Sequence, residues 1–422
     1  MKGLIVLSQK EAHRGHVLEQ VALRTLTLKE AAKIMGISYR QAKRFHKRWQ
    51  QEGLVGLFHR NRGRQVSHAL PDESAAIIVA LHEEVYANFN DTHFTEALAE
   101  REGIKISREK VRQILRAAGR GPKRKRRTKK RHGRRPRKTQ AGIMMQWDGS
   151  PHHWFSPDQQ PCCLMSAIDD AESRLLAALF VPVESSLAYL RLLDMVVRRH
   201  GAPLSVYQDR HRALTRADDF WSIEEQLQGE QYPTHVGRVL QDLGIQAISA
   251  LTPQAKGRVE RGFGIMQDRL IAELGFHGIT KLEEANAWLE DYYIDYHNRR
   301  FSVRAADPGD AFVTVSQKER YAKIAFAYEA TVSNDNCVRL GGLTIDVPAA
   351  RNRPSFAKAR VLVKQHMDGC WTVDHKGRII AKHEATPLNE PVRSWKRRKK
   401  GVLKRGRSVT QVYISSKPAP SP

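Results

Sequence analysis

The chain has 422 residues, with 71 Lys+Arg against 45 Asp+Glu and a formal net charge of +26. That excess calls for a polyanionic partner, and nucleic acid fits best because its backbone offers many phosphates to neutralise in a row. An anionic membrane is the weaker alternative: no apolar run approaches the roughly 18 residues of a span, and the five-residue apolar stretch near the N-terminus is too short for a secretory signal. Cys162, Cys163, Cys337 and Cys370 have neither a zinc spacing nor a disulfide framework. They are expected to be reduced thiols of a cytoplasmic protein.

Residues 1–62 are expected to form a helix-turn-helix domain. Thr27 with Glu30 and Ser38 with Gln41 make two capping-box signals, and Gly36 lies between them. The second helix has Ala42, Phe45 and Trp49 at inward spacing. Its other face carries Tyr39, Arg40, Lys43, Arg44, Lys47 and Arg48, a cationic surface with one aromatic, as a groove-reading helix needs. A solvated amphipathic hairpin is the bland alternative.

A second such unit is expected over residues 63–119. A helix begins near Asp91 with Phe94, Ala97 and Leu98, and Gly103 breaks it. Ser107 opens another helix, with Val111, Ile114 and Leu115 inward. Arg108, Arg112 and Arg116 fall at i, i+4 and i+8, a stripe that repels itself unless a polyanion lies alongside. Residues 120–140 form a basic linker. In 120–138, thirteen of nineteen positions are Lys or Arg, Lys123, Arg124, Arg126 and Arg127 among them, with no acid. Such a block stays extended until phosphate neutralises it, and it is expected to act as a DNA-contacting arm.

From residue 141 to 315 the pattern becomes that of a mixed α/β sheet with helices on both faces. Three strands (IMMQWDGS, PCCLMSAIDD, RLLAALFVPV) are followed by a helix at 186–200, a strand ending PLSVYQD, a helical stretch at 216–243, a strand GIQAISAL, and helices at 254–274 and 281–298. Residues 316–388 alternate in short segments that predict a small β-barrel. Residues 389–422 are a basic, partly disordered tail.

Three carboxylates stand out by position. Asp148 ends the first strand and Asp209 the fourth, while Glu260 lies early in the helix after the fifth, on a polar flank with Lys256 and Gln267. Sites in open α/β sheets gather at such strand ends and helix starts. On that helix Val259, Phe263, Met266, Leu270 and Leu274 form the inward stripe, and Gly264 would let another backbone approach. Acids gathered in one place repel unless a cation sits among them. Hard oxygen ligands suit Mg²⁺ or Mn²⁺, and a pair of such ions serves phosphodiester displacement. Lys256 and Arg258 precede Glu260, where they could hold a DNA end. Asp169 and Asp170 are read as turn or capping acids.

The order strand acid, strand acid, helix Glu resembles the ribonuclease-H-like catalytic core of retroviral integrases and bacterial insertion-sequence transposases. QAKGRVERGFGIMQDRL is similar to the family's Glu helix, and YYIDYHNRRFSVRAADPGDAF to its Tyr-Asn-Arg segment leading to a proline. Over about residues 20–315 the chain resembles the ISNCY group of these transposases. One departure is the fifty residues between Asp209 and Glu260, longer than in many integrases and read as an inserted helix and turn. The resemblance implies Asp148, Asp209 and Glu260 as metal ligands. It also implies cleavage and strand transfer at the ends of a mobile element, with double-stranded DNA (terminal repeats and target) as partner. The protein would work as a homo-oligomer on DNA, in the bacterial nucleoid. A DNA-binding regulator without catalysis and a nuclease on the same core are the rival readings.

Overall fold

The computed structural model describes residues 7–59, 71–123, 135–216, 223–229, 231–249, 257–350 and 353–388. They fall into two units, residues 1–80 and 81–422. In the first, α1 (Gln9–Ala22), α2 (Leu28–Ile34) and α3 (Tyr39–Glu52) enclose Val17, Leu18, Ala31, Ala32, Ala42 and Leu57. Both expected capping boxes form: Thr27 with Glu30 and Ser38 with Gln41. Gly36 takes φ +63° in the turn between them, a conformation glycine adopts without strain. The helix α1 lies mostly before the region the sequence marks as helical. It has its own capping box, Ser8 with Glu11. Phe45 is half-buried, with the guanidinium groups of Arg14 and Arg48 over its ring at 4.6 and 4.7 Å.

A fourth helix, α4 (Asp72–Glu84), precedes α5 (Asp91–Glu100) and α6 (Arg108–Ala117). The last two belong with the residues that follow. Glu273, fully buried, accepts hydrogen bonds from Arg101 (2.7 Å) and Tyr296 (3.2 Å), and His93 Nε2 stands 2.6 Å away. Arg269 pairs with Glu96, which also meets Arg300. Charges removed from water in this way need partners, and α5 supplies them.

The central sheet has the order β3-β2-β1-β4-β5: β1 (Met145–His152), β2 (Cys162–Asp169), β3 (Leu175–Val181), β4 (Ser205–Gln208) and β5 (Gln246–Ser249). Strands β1, β2 and β3 form an antiparallel meander; β4 and β5 add parallel to β1. Alternation along β2 sends Cys163, Met165 and Ala167 to one side and Leu164 and Ile168 to the other. The first side packs on α7 (Ser186–Arg199) and α9 (His235–Asp242), which follows the short α8 (Ile223–Gln228). The second packs on α10 (Gly257–Phe276), α11 (Leu282–Trp288) and α12 (Ile294–Phe301), the last two joined by a wider turn at Leu289–Tyr293. The expected mixed sheet with helices on both faces is present.

Among the described residues a closed C-terminal β-barrel is not seen, and the strands make two open sheets. After α13 (Gln317–Lys323), the strands β6 (Ala325–Thr331), β9 (Arg360–His366), β10 (Trp371–His375) and β11 (Arg378–His383) make an open sheet of order β11-β10-β9-β6. The strands β7 (Cys337–Leu340) and β8 (Leu343–Asp346) are a separate hairpin. Val338, Leu340 and Ile345 of that hairpin share one apolar interior with the four-stranded sheet. The sheet buries Phe326, Tyr328, Val363 and Val373 in the same interior as α7 and α9. Arg238 of α9 donates to the carbonyl of Ala327 (2.6 Å).

Candidate active site

Asp148 sits in the middle of β1 rather than at its end, because β2 continues to pair with β1 as far as His152. The other neighbour stops sooner. The parallel register pairs Met145 with Val206 and Gln146 with Tyr207, and β4 ends at Gln208. The same register sets Asp148 level with Asp209, the first residue beyond β4. Both aspartates therefore lie where β4 leaves β1, and the negative charge of each reaches Tyr189. Each has a backbone anchor: Asp148 Oδ1 accepts the N–H of Gly149 (3.1 Å), and Asp209 Oδ1 accepts that of His211 (3.0 Å).

The helix α10 lies along β1. Its Val259 N–H donates to Gln146 Oε1 (3.3 Å), and Gln267 Nε2 donates to Ser150 Oγ (3.3 Å). Asp148 shares a strand face with Gln146 and Ser150, so that face is turned toward α10. Glu260 is exposed in the helix's first turn, on the same flank as Gln267 two turns later. The inward stripe Val259, Phe263, Met266, Leu270 and Leu274 is buried as expected. The close approach is made at Gly262, not Gly264. A Cβ on Gly262 would lie 2.4 Å from Ile168 Cδ1, while Gly264 faces an open cleft of about 430 Å³ shared with Asn90, Lys123 and Asp268.

A further acid joins this edge. Strand β3 runs in the same direction as β1, so its C-terminal end, followed by Glu184, opens on the same side of the sheet. Glu184 Oε1 accepts the Tyr189 hydroxyl (2.6 Å). Burial first, then the negative charges of Glu184, Asp209 and Asp148, drive the Tyr189 phenol far above its ordinary value. Burial, followed by Glu184, pushes the Cys163 thiol up to about 12. Three carboxylates thus share one neighbourhood. Among the described residues, no group of three His, Cys, Asp or Glu side chains stands close enough to hold a metal ion.

A family model described as a helix-turn-helix domain matches residues 13–65. The Sinorhizobium fredii protein named "Putative transposase y4bF" is 34% identical over 341 residues, covering 78% of this chain and 73% of that protein. The transposase for insertion sequence IS1202 of Streptococcus pneumoniae is 36% identical over 325 residues, 69% and 68% of the two chains. The chain belongs to the insertion-sequence transposases. The transposase also matches the HTLV-2 integrase catalytic core domain, over 36% of its own length and 88% of that chain, at 18% identity and a TM-score of 0.25; a likeness that loose adds nothing to the assignment.

The other residues singled out in the sequence are placed unevenly. On α3 of the transposase, Tyr39, Arg40, Lys43, Arg44 and Lys47 are all exposed, with the Lys43 ammonium 4.8 Å from the Tyr39 ring. On α6 the arginine stripe is partly answered within the protein. Arg112 binds Glu109 through two nitrogens (2.9 and 2.5 Å), and Arg116 pairs with Asp91 (2.7 Å). Arg258 is held by buried Asp170 (2.7 Å) and also donates to the Arg135 carbonyl (2.9 Å). It therefore fastens the start of α10 instead of facing a groove. Asp170 also pairs with Arg135 and accepts from Gln146 (2.7 Å); Asp169 accepts the N–H groups of Gly142, Ala171 and Glu172, a turn-forming role. Lys123 donates to the Asn88 carbonyl. Arg124, Arg126, Arg127 and Lys256 lie outside the described residues. No described helix is long and apolar enough to cross a membrane.

Proposed function

We propose that Asp148, Asp209 and Glu260 are the ligands of a pair of Mg²⁺ (or Mn²⁺) ions, and that the transposase uses this site to cut DNA at the ends of its element and join those ends to a target. The observation that carries the reading is the parallel register of β1 and β4, which, continued just past β4, brings Asp209 level with Asp148 on an edge flanked by the helix that bears Glu260. The donor set fits a hard divalent cation, being carboxylate oxygens, in a spot where negative charge already burdens Tyr189. When bound, such ions neutralise the phosphate and activate the attacking oxygen. The reading requires Glu260 to move over toward the two aspartates when DNA and metal arrive.

The chain's own residues do the positioning. Gln146 accepts the Val259 N–H and fixes the first turn of α10, and Asp170 fastens Arg258 beside it. The reaction is two phosphoryl displacements. In the first, water attacks the phosphorus at the element's end and a 3′-hydroxyl leaves. In the second, that hydroxyl attacks a target phosphodiester, and the target's own 3′-oxygen departs. No covalent protein intermediate is needed. The exposed cationic face of α3, Arg108 of α6 and the basic segment 120–138 bind the duplex. Holding both element ends in one complex calls for a homo-oligomer on DNA.

The test is strand transfer with Mg²⁺ on linear DNA carrying the inverted repeats that flank the gene. Asp148→Asn, Asp209→Asn and Glu260→Gln should each abolish joined product and keep gel-shift binding. Full activity in any one of them removes that residue from the site.

A further inference from the structure

Each of the two aspartates is anchored through the residue just after it or two along: Asp148 by the Gly149 N–H, Asp209 by the His211 N–H. Both of those residues abut one side chain, that of Glu184. A Cβ placed on Gly149 would lie 2.6 Å from Glu184 Oε2, and His211 Nδ1 stands 3.5 Å from Glu184 Oε1. The same Oε1 accepts the hydroxyl of Tyr189, a fully buried side chain of α7. One carboxylate, four-fifths buried, therefore touches β1, the segment after β4, and α7 at once.

A glutamine would accept the Tyr189 hydroxyl equally well and without charge repulsion. A carboxylate here adds negative charge beside Asp148 and Asp209, an arrangement that stands easily only when a cation is added. Partners behind metal ligands commonly orient them and raise their hold on the ion. We infer that Glu184 is a positioning carboxylate of the transposase, fixing the residues that anchor Asp148 and Asp209; the inference rests on the metal-ligand reading proposed above.

The experiment uses full-length protein and two readouts. Free Mn²⁺ is followed by its electron paramagnetic resonance signal during titration, and Mn²⁺-dependent nicking is followed on a supercoiled plasmid carrying the gene's flanking DNA. Glu184→Ala should weaken Mn²⁺ binding and slow nicking by about tenfold to a hundredfold. Glu184→Gln should keep the wild-type melting temperature, still need more Mn²⁺, and recover part of its rate at saturating metal. Adding Tyr189→Phe to Glu184→Ala should cost no more than Glu184→Ala alone, because the two act as one unit. Wild-type Mn²⁺ affinity in Glu184→Ala and Glu184→Gln overturns the inference. So does a loss in both variants that merely follows a lowered melting temperature. Asp148→Asn separates this result from failure of the site itself. If Asp148→Asn is inert while Glu184→Ala behaves as wild type, only the role of Glu184 falls. If Asp148→Asn keeps full Mn²⁺ affinity and nicking, the site reading falls.

Discussion

The helices α3 and α6 carry much the same signature, a serine cap followed by an amphipathic run with cations on its outer face, yet they stand in different circumstances. On α3, Arg40, Lys43, Arg44 and Lys47 are exposed, while Arg48 is half-buried against Phe45. On α6, Arg112 is held by Glu109 and Arg116 by Asp91. The neighbour of α6, helix α5, is fastened to α10 by the buried Glu273. A cation left unspent in the fold is available to phosphate; one already paired must first give up its partner. The basic face of α3 is therefore the surface we propose for DNA, and α6 is first of all part of the body that carries Glu260.

The largest effect should come from breaking that fastening. Burial pushes the Glu273 carboxyl up, but hydrogen bonds from His93 and Arg101 outweigh it and hold the group at about 2. Removing one partner of a buried charge pair costs about 3–5 kcal/mol. Glu273→Ala should lower the stability of the second unit by that order in urea unfolding and leave residues 1–80 with their own transition. The pH dependence follows the same sign. A carboxyl with a depressed folded value contributes its full stability above the unfolded value near 4.5 and loses it as pH falls toward 2. Wild type should thus weaken over that acid window, and Glu273→Ala should lack this part of the slope. An unchanged urea midpoint in the variant would show that α5 is not anchored through Glu273.

Next in size is DNA binding through α3. Replacing Arg40, Lys43, Arg44 and Lys47 together by alanine should reduce the slope of log affinity against log salt by about 3–4, since each phosphate contact contributes about 0.9. All four side chains are exposed, so the melting temperature should not move. A salt slope equal to wild type would mean that the face meets no phosphate.

Much of this was legible in the sequence, and the exceptions have physical causes. The two capping boxes and the inward stripe of α10 follow from local spacing and are present in the fold. Helix α1 escaped because QKEAHRGHVLEQVA is mostly polar and buries chiefly Val17 and Leu18, too few apolar positions to show a period. Barrel closure was not legible because strand alternation tells which residues face inward but not whether the strands close on themselves, and among the described residues they make two open sheets. Glu184 carries no local signal, since it lies just before the serine cap of α7, where an acid is ordinary. The signal that could have found it is directional: in a three-stranded meander the third strand runs with the first, so the acid after β3 reaches the same edge as Asp148.

The smallest effect belongs to α6, and it decides how far the contrast with α3 extends. Arg112 and Glu109 form an exposed pair three residues apart, the kind that adds little to stability. Arg112→Ala should leave the melting temperature in place. It should lower the DNA salt slope by no more than about 1, the share of a single phosphate contact. Glu109→Ala is the sharper probe, because it frees Arg112 without removing it. If α6 meets DNA, releasing that arginine should tighten binding and steepen the salt dependence. If α6 serves only to brace α10, both variants should bind as wild type, and sequence-independent affinity should reside in α3 and the basic segment that follows α6.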